Sequence, residues 1–299
     1  MAGVDLHTHT TASDGKLAPT EVVRLARQKG LAAVGITDHD TVAGLAEARA
    51  AAASRGVTVV PGVELSTEWE GREIHILGYY IDWQQEDLVS FLEAMRQSRY
   101  RRTARMVERL QGLGYDISLA EVEEEVRGEA MGRPHIAAAL VRKGYLPSID
   151  AAFNSLLEPG RPAYVPCARV QPGRAIKLIL EAGGVHVLAH PGLSRVDALI
   201  PALVADGLKG IEAYYPRHDV STTRYYLELA ALYRLVVTGG SDFHGDINSN
   251  GSHADLGTCR VDVAVLEHLQ QCAPVIKSRQ ATPAHRDQPF CIDSPAQGD

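Results

Sequence analysis

The chain has 12 histidines among its 299 residues, several of them beside carboxylates at the ends of apolar runs. Asp5-Leu6-His7-Thr8-His9 closes the first such run, and the two-residue side-chain period of an extended segment places His7 and His9 on one face. Asp14 follows in the polar turn 10–15, and the second run ends Thr37-Asp38-His39-Asp40. The third ends in Glu64, just after Pro61-Gly62, where a carboxylate in an apolar stretch is costly unless it is paired or bound to a cation. His75 opens the fourth, His190-Pro191-Gly192 finishes the fifth, and Ser241-Asp242-Phe243-His244 finishes the seventh with a second i, i+2 pair. Together these are six histidines and three carboxylates, nitrogen and oxygen donors with no thiolate. Such a set suits Zn²⁺, Mn²⁺ or Fe²⁺ at a reactive site and disfavours a structural zinc knot. Nine donors exceed one tetrahedral site and are enough for two or three divalent ions, with Glu64 well suited to bridge. The chemistry of such a cluster is activation of a bound water and stabilisation of developing negative charge.

The donors need a frame that collects chain ends. Seven short apolar, β-branched runs recur, at Val4 to His9, Ala32 to Thr37, Val57 to Glu64, Glu73 to Tyr80, Val185 to His190, Lys209 to Tyr214 and Leu235 to Gly240. Helical patterns fall between most of them: Pro19 to Gln28 with Thr20 as the expected cap, Ala43 to Arg55, Arg174 to Ala182, Val196 to Asp206 and Ser221 to Ala231. Strand–helix alternation predicts a parallel α/β sheet or barrel, with a site at the carboxyl ends of the strands. Only Leu65 to Arg72 separates the third and fourth runs, too short for a crossover helix but adequate for a hairpin turning at Glu70-Gly71, so the barrel is expected to be irregular there. From Leu88 to Tyr164 the pattern changes to polar helices without a strand, ending in the breaker-rich Glu158-Pro159-Gly160-Arg161-Pro162. The expected layout is a barrel of residues 1–87 and 165–285, a helical insertion or cap of 88–164, and a loose tail of 286–299.

Composition narrows the function classes. Thirty Lys and Arg against 37 Asp and Glu give a formal charge of -7, which argues against nonspecific binding of duplex DNA. The four cysteines (Cys167, Cys259, Cys272, Cys291) form no CxxC pair, and the N-terminus shows neither a basic n-region nor an apolar h-region. These features predict a reduced, cytoplasmic protein, and no apolar run approaches the roughly 20 residues of a membrane span. Arg96, Arg99, Arg101, Arg102, Arg105 and Arg109 form a basic stretch followed by Glu121, Glu123, Glu124 and Glu125. That pattern reads either as helices salt-bridged to each other or as a positive rim for phosphates.

The donor pattern HxH, D, H, E, H, H and DxH resembles the PHP (polymerase and histidinol phosphatase) domain family, over residues 1–99 and 166 to about 260. The resemblance implies a distorted (β/α)7 barrel, a trinuclear metal site and phosphoester hydrolysis. It suggests His7, His9, Glu64 and Asp242 on a first ion, Asp14, His39 and His244 on a second, and Glu64, His75 and His190 on a third. Gly132-Arg133-Pro134-His135-Ile136-Ala137 and Glu212-Ala213-Tyr214-Tyr215-Pro216-Arg217-His218, together with the helical insertion, are similar to the branch containing 3′,5′-bisphosphonucleoside phosphatases and 5′-to-3′ exoribonucleases.

On that basis the expected reaction is attack on phosphorus by a hydroxide that bridges the metals and is held by the metal ligands. Arg133, His135, Arg217 and His218 are candidates to bind the phosphorylated substrate, a nucleotide or short RNA, with His218 also a candidate acid for the leaving alkoxide. Each has a bland counterpart: a helix cap for Arg133, a packed histidine for His135, a solvated side chain for Arg217. His186 shares the strand parity of His190 but lies deeper, and reads as a hydrogen-bonded core histidine. Tyr79, Tyr214 and Tyr215 offer either base stacking or barrel lining. Competing functions are histidinol phosphate phosphatase and a non-catalytic metal-binding accessory module. A complete ligand set argues against the module, and the oligomeric state is not legible.

Overall fold

The computed structural model describes residues 3–53, 56–126, 128, 131–166, 170–245 and 254–274. Cys167, Cys291 and the expected tail lie outside them. Eight strands form one sheet: β1 (Gly3–Asp5), β2 (Ala33–Ile36), β3 (Thr58–Trp69), β4 (Arg72–Tyr79), β5 (Val185–Leu188), β6 (Gly210–Tyr214), β7 (Val236–Gly239) and β8 (Val261–Asp262), in the order β7-β6-β5-β4-β3-β2-β1-β8. Pairing is parallel from β1 to β3 and from β5 to β7, whereas β4 runs antiparallel to both β3 and β5. The sheet nearly closes into a barrel. The Leu6 N–H donates to the Gly239 carbonyl at 3.2 Å, the His9 N–H donates to the Phe243 carbonyl at 2.8 Å, and Thr8 bridges Phe243 in parallel.

The irregularity expected at the hairpin is present, with Trp69 paired to Arg72 across the Glu70-Gly71 turn and Glu70 at φ 50 and Gly71 at φ 77. The hairpin is longer than the sequence suggests, because β3 continues past Glu64 to Trp69. Antiparallel pairing to β4 satisfies its backbone beyond the barrel rim, so no breaker is needed at Glu64. The antiparallel β8, paired to Gly3 and Val4, escapes the seven-run reading because two residues carry no periodic signal.

The helices are α1 (Pro19–Gln28), α2 (Leu45–Ala52), α3 (Glu86–Gly112), α4 (Leu119–Glu123), α5 (Arg133–Arg142), α6 (Ile149–Ala152), α7 (Pro172–Glu181), α8 (Pro191–Ser194), α9 (Ile200–Ala205), α10 (Val220–Tyr233) and α11 (Val265–Cys272). Thr20 does not cap α1. The cap position is Ala18, and Glu21 reaches back to the Ala18 N–H at 3.0 Å, with Pro19 occupying the first turn. The single helix expected over Val196 to Asp206 is a 3₁₀ turn at Asp197–Leu199 followed by α9.

Alternate strand residues feed two apolar clusters. Val34, Ile76, Leu188 and Ile211 pack with Val22, Ile176, Leu203 and Tyr226 of the helices, while Ala33, Leu77 and Val187 pack with Val265 and Leu269 of α11. A third cluster belongs to the insertion and joins Met106, Leu110, Ile136, Leu140, Leu157 and Val165. The change of core falls inside α3, whose Leu88, Phe91, Leu92 and Met95 still pack in the barrel cluster. One 27-residue helix therefore carries the insertion rigidly on the barrel. No helix of the described residues is long and apolar enough to cross a membrane.

Candidate metal centre

Glu64 is fully buried, and both of its oxygens face imidazoles. His7 Nε2, His9 Nε2 and His39 Nδ1 approach Oε2 at 3.2, 3.2 and 3.1 Å, while His75 Nδ1 and His190 Nε2 approach Oε1 at 2.8 and 3.0 Å. Asp242 Oδ1 lies 3.1 Å from His9 Nε2 and 3.4 Å from His7 Nε2. Asp14 Oδ1 meets His244 Nε2 at 3.3 Å and His9 Nδ1 at 3.8 Å, and the His9 and His244 rings stack at 4.1 Å.

Among the described residues, three groups of donor atoms lie close enough to share an ion: His7, His9, Glu64 and Asp242; His9, Asp14, His39 and His244; and His39, Glu64 and His75. The first is the set expected for the first ion. The second gains His9. The third substitutes His39 for His190, which sits beside it at the turn after β5 with φ 25.

The donor set can be tested on its unmet polar atoms. Among the described residues, His7 Nε2, both nitrogens of His9, His39 Nδ1 and Glu64 Oε2 are buried without a hydrogen-bond partner. Such atoms are expensive in a folded protein unless something else accepts their lone pairs, and divalent cations do so. The electrostatics agree. Burial opposes charge on His9, but the Asp242 and Glu64 carboxylates beside its Nε2, at 3.1 and 3.2 Å, outweigh it and lift the imidazole to about 10. His7 and His75 are likewise raised well above the usual range, burial being overcome for His7 by Glu212, Glu64 and Asp242 and for His75 by Glu64 and Glu73. Burial dominates at His39 and pushes it down to about 4. Burial would raise Asp14, Glu64 and Asp242, yet the surrounding imidazoles hold all three well below the usual carboxylate range. Without a cation the cluster stores protons, and a bound cation takes their place.

A frame of buried carboxylates orients these ligands. Glu212 accepts from His7 Nδ1 at 3.0 Å and from the His190 N–H at 2.8 Å, which leaves His7 Nε2 free for metal. Asp5 accepts from the Ser241 hydroxyl at 2.6 Å, the Ser241 N–H at 3.0 Å and the Gly257 N–H at 2.6 Å, tying β1 to the segment that bears Asp242. Asp38 accepts from the Thr10 N–H and hydroxyl at 2.7 and 2.8 Å and from the Ser13 hydroxyl at 2.7 Å, fixing the loop that carries Asp14. The Tyr215 hydroxyl donates to Asp242 Oδ2 at 2.9 Å, and His244 Nδ1 donates to the Asp242 carbonyl at 2.8 Å, presenting Nε2 to the site. Sequence reasoning assigned none of these supporting roles. Glu212 carries the signal that exposed Glu64, a carboxylate inside an apolar run.

The remaining candidates are less uniform. Arg133 opens α5, donates to Glu73 Oε2 at 3.1 Å and lies 5.5 Å over the Phe153 ring. Glu73 in turn touches His75 Nε2 at 3.3 Å, so Arg133 borders the third donor group. His135 is buried and accepts from the Gly132 N–H at 3.1 Å, with burial pushing its imidazole down. Arg217 is exposed.

His218 does not fit the role of acid. Its Nδ1 donates to the Ala213 carbonyl at 3.0 Å and its Nε2 accepts from the Gly192 N–H at 3.2 Å, so the neutral ring spends its one proton on the backbone. Burial also pushes it down, away from the protonated form an acid needs. His218 braces the turn after His190 against β6.

Tyr79 is fully buried and Tyr215 is packed between the His190 and His218 rings, each 5.3 Å away, so neither presents a face to a base. Tyr214 is 39% exposed, with α10 and β8 residues lining the same surface recess. His186 is a buried core residue, and its Nδ1 has no side-chain hydrogen-bond partner among the described residues. It shares the face of Leu188, on the helix side of the sheet.

The basic stretch of α3 is mostly clasps. Arg96 pairs with Glu93, Arg102 donates to the Val165 carbonyl at 2.7 Å, and Arg109 donates to the Tyr164 carbonyl. Arg99 turns to the barrel mouth, onto Asp40 and Ser66. Among the described residues, Cys259 and Cys272 form no disulfide.

Comparison with known proteins accords with this geometry. The PHP domain model matches residues 5–156. The 3′,5′-nucleoside bisphosphate phosphatase of Chromobacterium violaceum is 35% identical over 82% of this chain and 88% of its own. The phosphoribosyl 1,2-cyclic phosphate 1,2-diphosphodiesterase of Eggerthella lenta is 36% identical over 81% and 94%. The 5′-3′ exoribonuclease Rnm of Escherichia coli is 36% identical over 80% and 84%. Among solved structures, a candidate metal-dependent phosphoesterase of Bifidobacterium adolescentis superposes with TM-score 0.83 at 34% identity, over 93% of this chain and 99% of that one. The chain belongs to the PHP domain family. Within it, the chain is a metal-dependent phosphoesterase, a hydrolase of phosphoric esters.

Proposed function

We propose that the chain removes phosphate from a nucleotide, with a 3′,5′-bisphosphonucleoside as the preferred substrate and short 5′-phosphorylated oligoribonucleotides as a second. The observation that carries the reading is the convergence of buried, unpartnered imidazole and carboxylate atoms around Glu64, which suits two or three ions such as Mn²⁺, Zn²⁺ or Fe²⁺. His7, His9, Glu64 and Asp242 would hold one, His9, Asp14, His39 and His244 another, and His39, Glu64 and His75 a third, with His190 alongside. When bound, the ions supply activation of a water and neutralisation of phosphate oxygens.

The chain's own residues do the rest. Glu212 fixes the His7 tautomer, and Tyr215 occupies Asp242 Oδ2 so that Oδ1 faces the histidines. Arg133, at the rim beside Glu73 and His75, has the planar fork that reads phosphate and would exchange its Glu73 contact for a substrate oxygen. Gly128 of the insertion lies against Thr11 and Ala12 of the Asp14 loop, closely enough that a Cβ would collide with both, so the insertion roofs one side of the mouth. A roofed mouth favours a small substrate or a chain end over the middle of a duplex. The names of the Chromobacterium and Escherichia relatives support a nucleotide or RNA substrate.

The test is phosphate release by Mn²⁺-loaded protein across adenosine 3′,5′-bisphosphate, adenosine 5′-monophosphate, a 5′-phosphorylated RNA trimer and histidinol phosphate, with His9→Ala as background. A five-membered cyclic sugar phosphate is added because of the Eggerthella relative, and its opening is read by chromatography. Preference for the bisphosphate is expected. Turnover of histidinol phosphate or the cyclic diester alone would replace the nucleotide reading, and no turnover above the His9→Ala background would leave only a non-catalytic metal-binding module.

A further inference from the structure

Asp40 follows the metal-ligand candidate His39 and adopts φ 50, a left-handed conformation that Asp tolerates better than most side chains. Its N–H donates to the Glu64 carbonyl at 2.9 Å, and its Oδ1 accepts from the Ser66 N–H at 2.8 Å. Ser66 is the register partner of His75 across the hairpin. One residue, through its backbone N–H and its carboxylate, thus ties together the His39 turn, the β3 segment bearing Glu64 and, through the hairpin, the strand bearing His75. These are the three residues of the third donor group.

The Asp40 carboxylate is 1% exposed, and the cation facing it comes from the insertion. Arg99 Nε donates to Asp40 Oδ2 at 2.9 Å, and its NH2 group donates both to the same oxygen and to the Ser66 hydroxyl, the latter at 2.6 Å. Arg99 lies on α3 between Met95, which packs in the barrel core, and Met106, which packs in the insertion core, so its reach is set by two rigid contacts on one helix. A buried carboxylate deprived of its partner is left uncompensated and is drawn toward water. Here that movement would pull Oδ1 off the Ser66 N–H and loosen the contact between the His39 turn and the hairpin.

We propose that Arg99 is a positioning residue by which the helical insertion builds the third metal position, acting through Asp40 and touching neither metal nor substrate. The inference rests on the metal reading of the site. It gives the insertion a part in assembling the centre, beyond covering it.

The experiment counts ions. Full-length protein is stripped with chelator and titrated with Mn²⁺, bound metal is measured by elemental analysis and affinity by calorimetry, and thermal melts of each variant report folding. His75→Ala identifies the ion held by the third group. Arg99→Met is expected to weaken that same ion about 10- to 100-fold, the usual effect of losing a supporting partner, with the other sites unchanged. Arg99→Lys, which keeps the charge with fewer donors, should recover part of the affinity and carries the test if Arg99→Met does not fold. Arg99→Met combined with Asp40→Asn should be no worse than Arg99→Met alone. A lower melting temperature with wild-type ion number and affinity would overturn the inference, making Arg99 a merely structural clasp. Absence of bound metal in the unmodified protein would instead overturn the metal reading itself, and the inference with it.

Discussion

Replacing Glu212 with Gln changes few atoms and should change the metal centre. The carboxylate accepts from His7 Nδ1 on one oxygen at 3.0 Å and from the His190 N–H on the other at 2.8 Å. A Gln side chain can keep its oxygen on the His190 N–H, and its NH2 group then faces His7 Nδ1. Two donors cannot share that contact, so His7 must move its proton to Nε2, the atom that faces Glu64 and Asp242. A protonated Nε2 cannot ligate metal. The alternative, turning the amide round, leaves the buried His190 N–H unpaired, at about 1–3 kcal/mol. Either route predicts a loss of about 10- to 100-fold in affinity for the ion held by His7, His9, Glu64 and Asp242, or about 1.4–2.8 kcal/mol. The assay is Mn²⁺ titration of chelator-stripped protein by calorimetry, with phosphate release measured across free Mn²⁺. Activity should fall at low metal and recover in part at high metal. Wild-type affinity and wild-type metal dependence in Glu212→Gln would refute the tautomer argument.

Three further outcomes follow from the same geometry. In metal-free protein His9 titrates at about 10 against an ordinary 6.5, so its contribution to stability is complete below about 6.5 and is lost as pH rises toward 10. Melting temperatures in chelator should therefore fall across that window while metal affinity rises and binding releases protons; a flat profile would contradict the proton-storing cluster. Gly240→Ala would press a Cβ against His7 Cβ and within 2.8 Å of His7 Cα, so a destabilisation of about 1–3 kcal/mol with weakened metal binding is expected in denaturant melts. Arg133→Ala should raise KM for a phosphorylated substrate more than it lowers kcat, since Arg133 lies at the rim with Glu73 and away from the His7 group; unchanged KM and kcat would remove it from the site.

Much of the centre is legible in the chain because its donors announce themselves locally. A histidine or carboxylate closing an apolar run stands out wherever it occurs, and His7, His9, His39, Glu64 and His190 all do so. Periodicity likewise gave α1 within its observed bounds and the hairpin turn at Glu70-Gly71, since both depend on neighbours in sequence. The supporting residues gave no comparable signal. Glu212 lies 205 positions from His7, and Asp5 lies 236 from Ser241. His218 looked like an acid because its residue type permits it, and only its contacts with Gly192 and Ala213 show where its single proton goes.

The sequence by itself determined most of the elements, the donor inventory and the ends of the strands where those donors collect, because side-chain period and burial cost act over a few residues. Which donor atoms come within reach of one another, and the grip of Arg99 on Asp40, were decided only by tertiary structure. Barrel closure sets distances between residues far apart in the chain, and a hydrogen bond or a shared ion depends on those distances to within a fraction of an ångström.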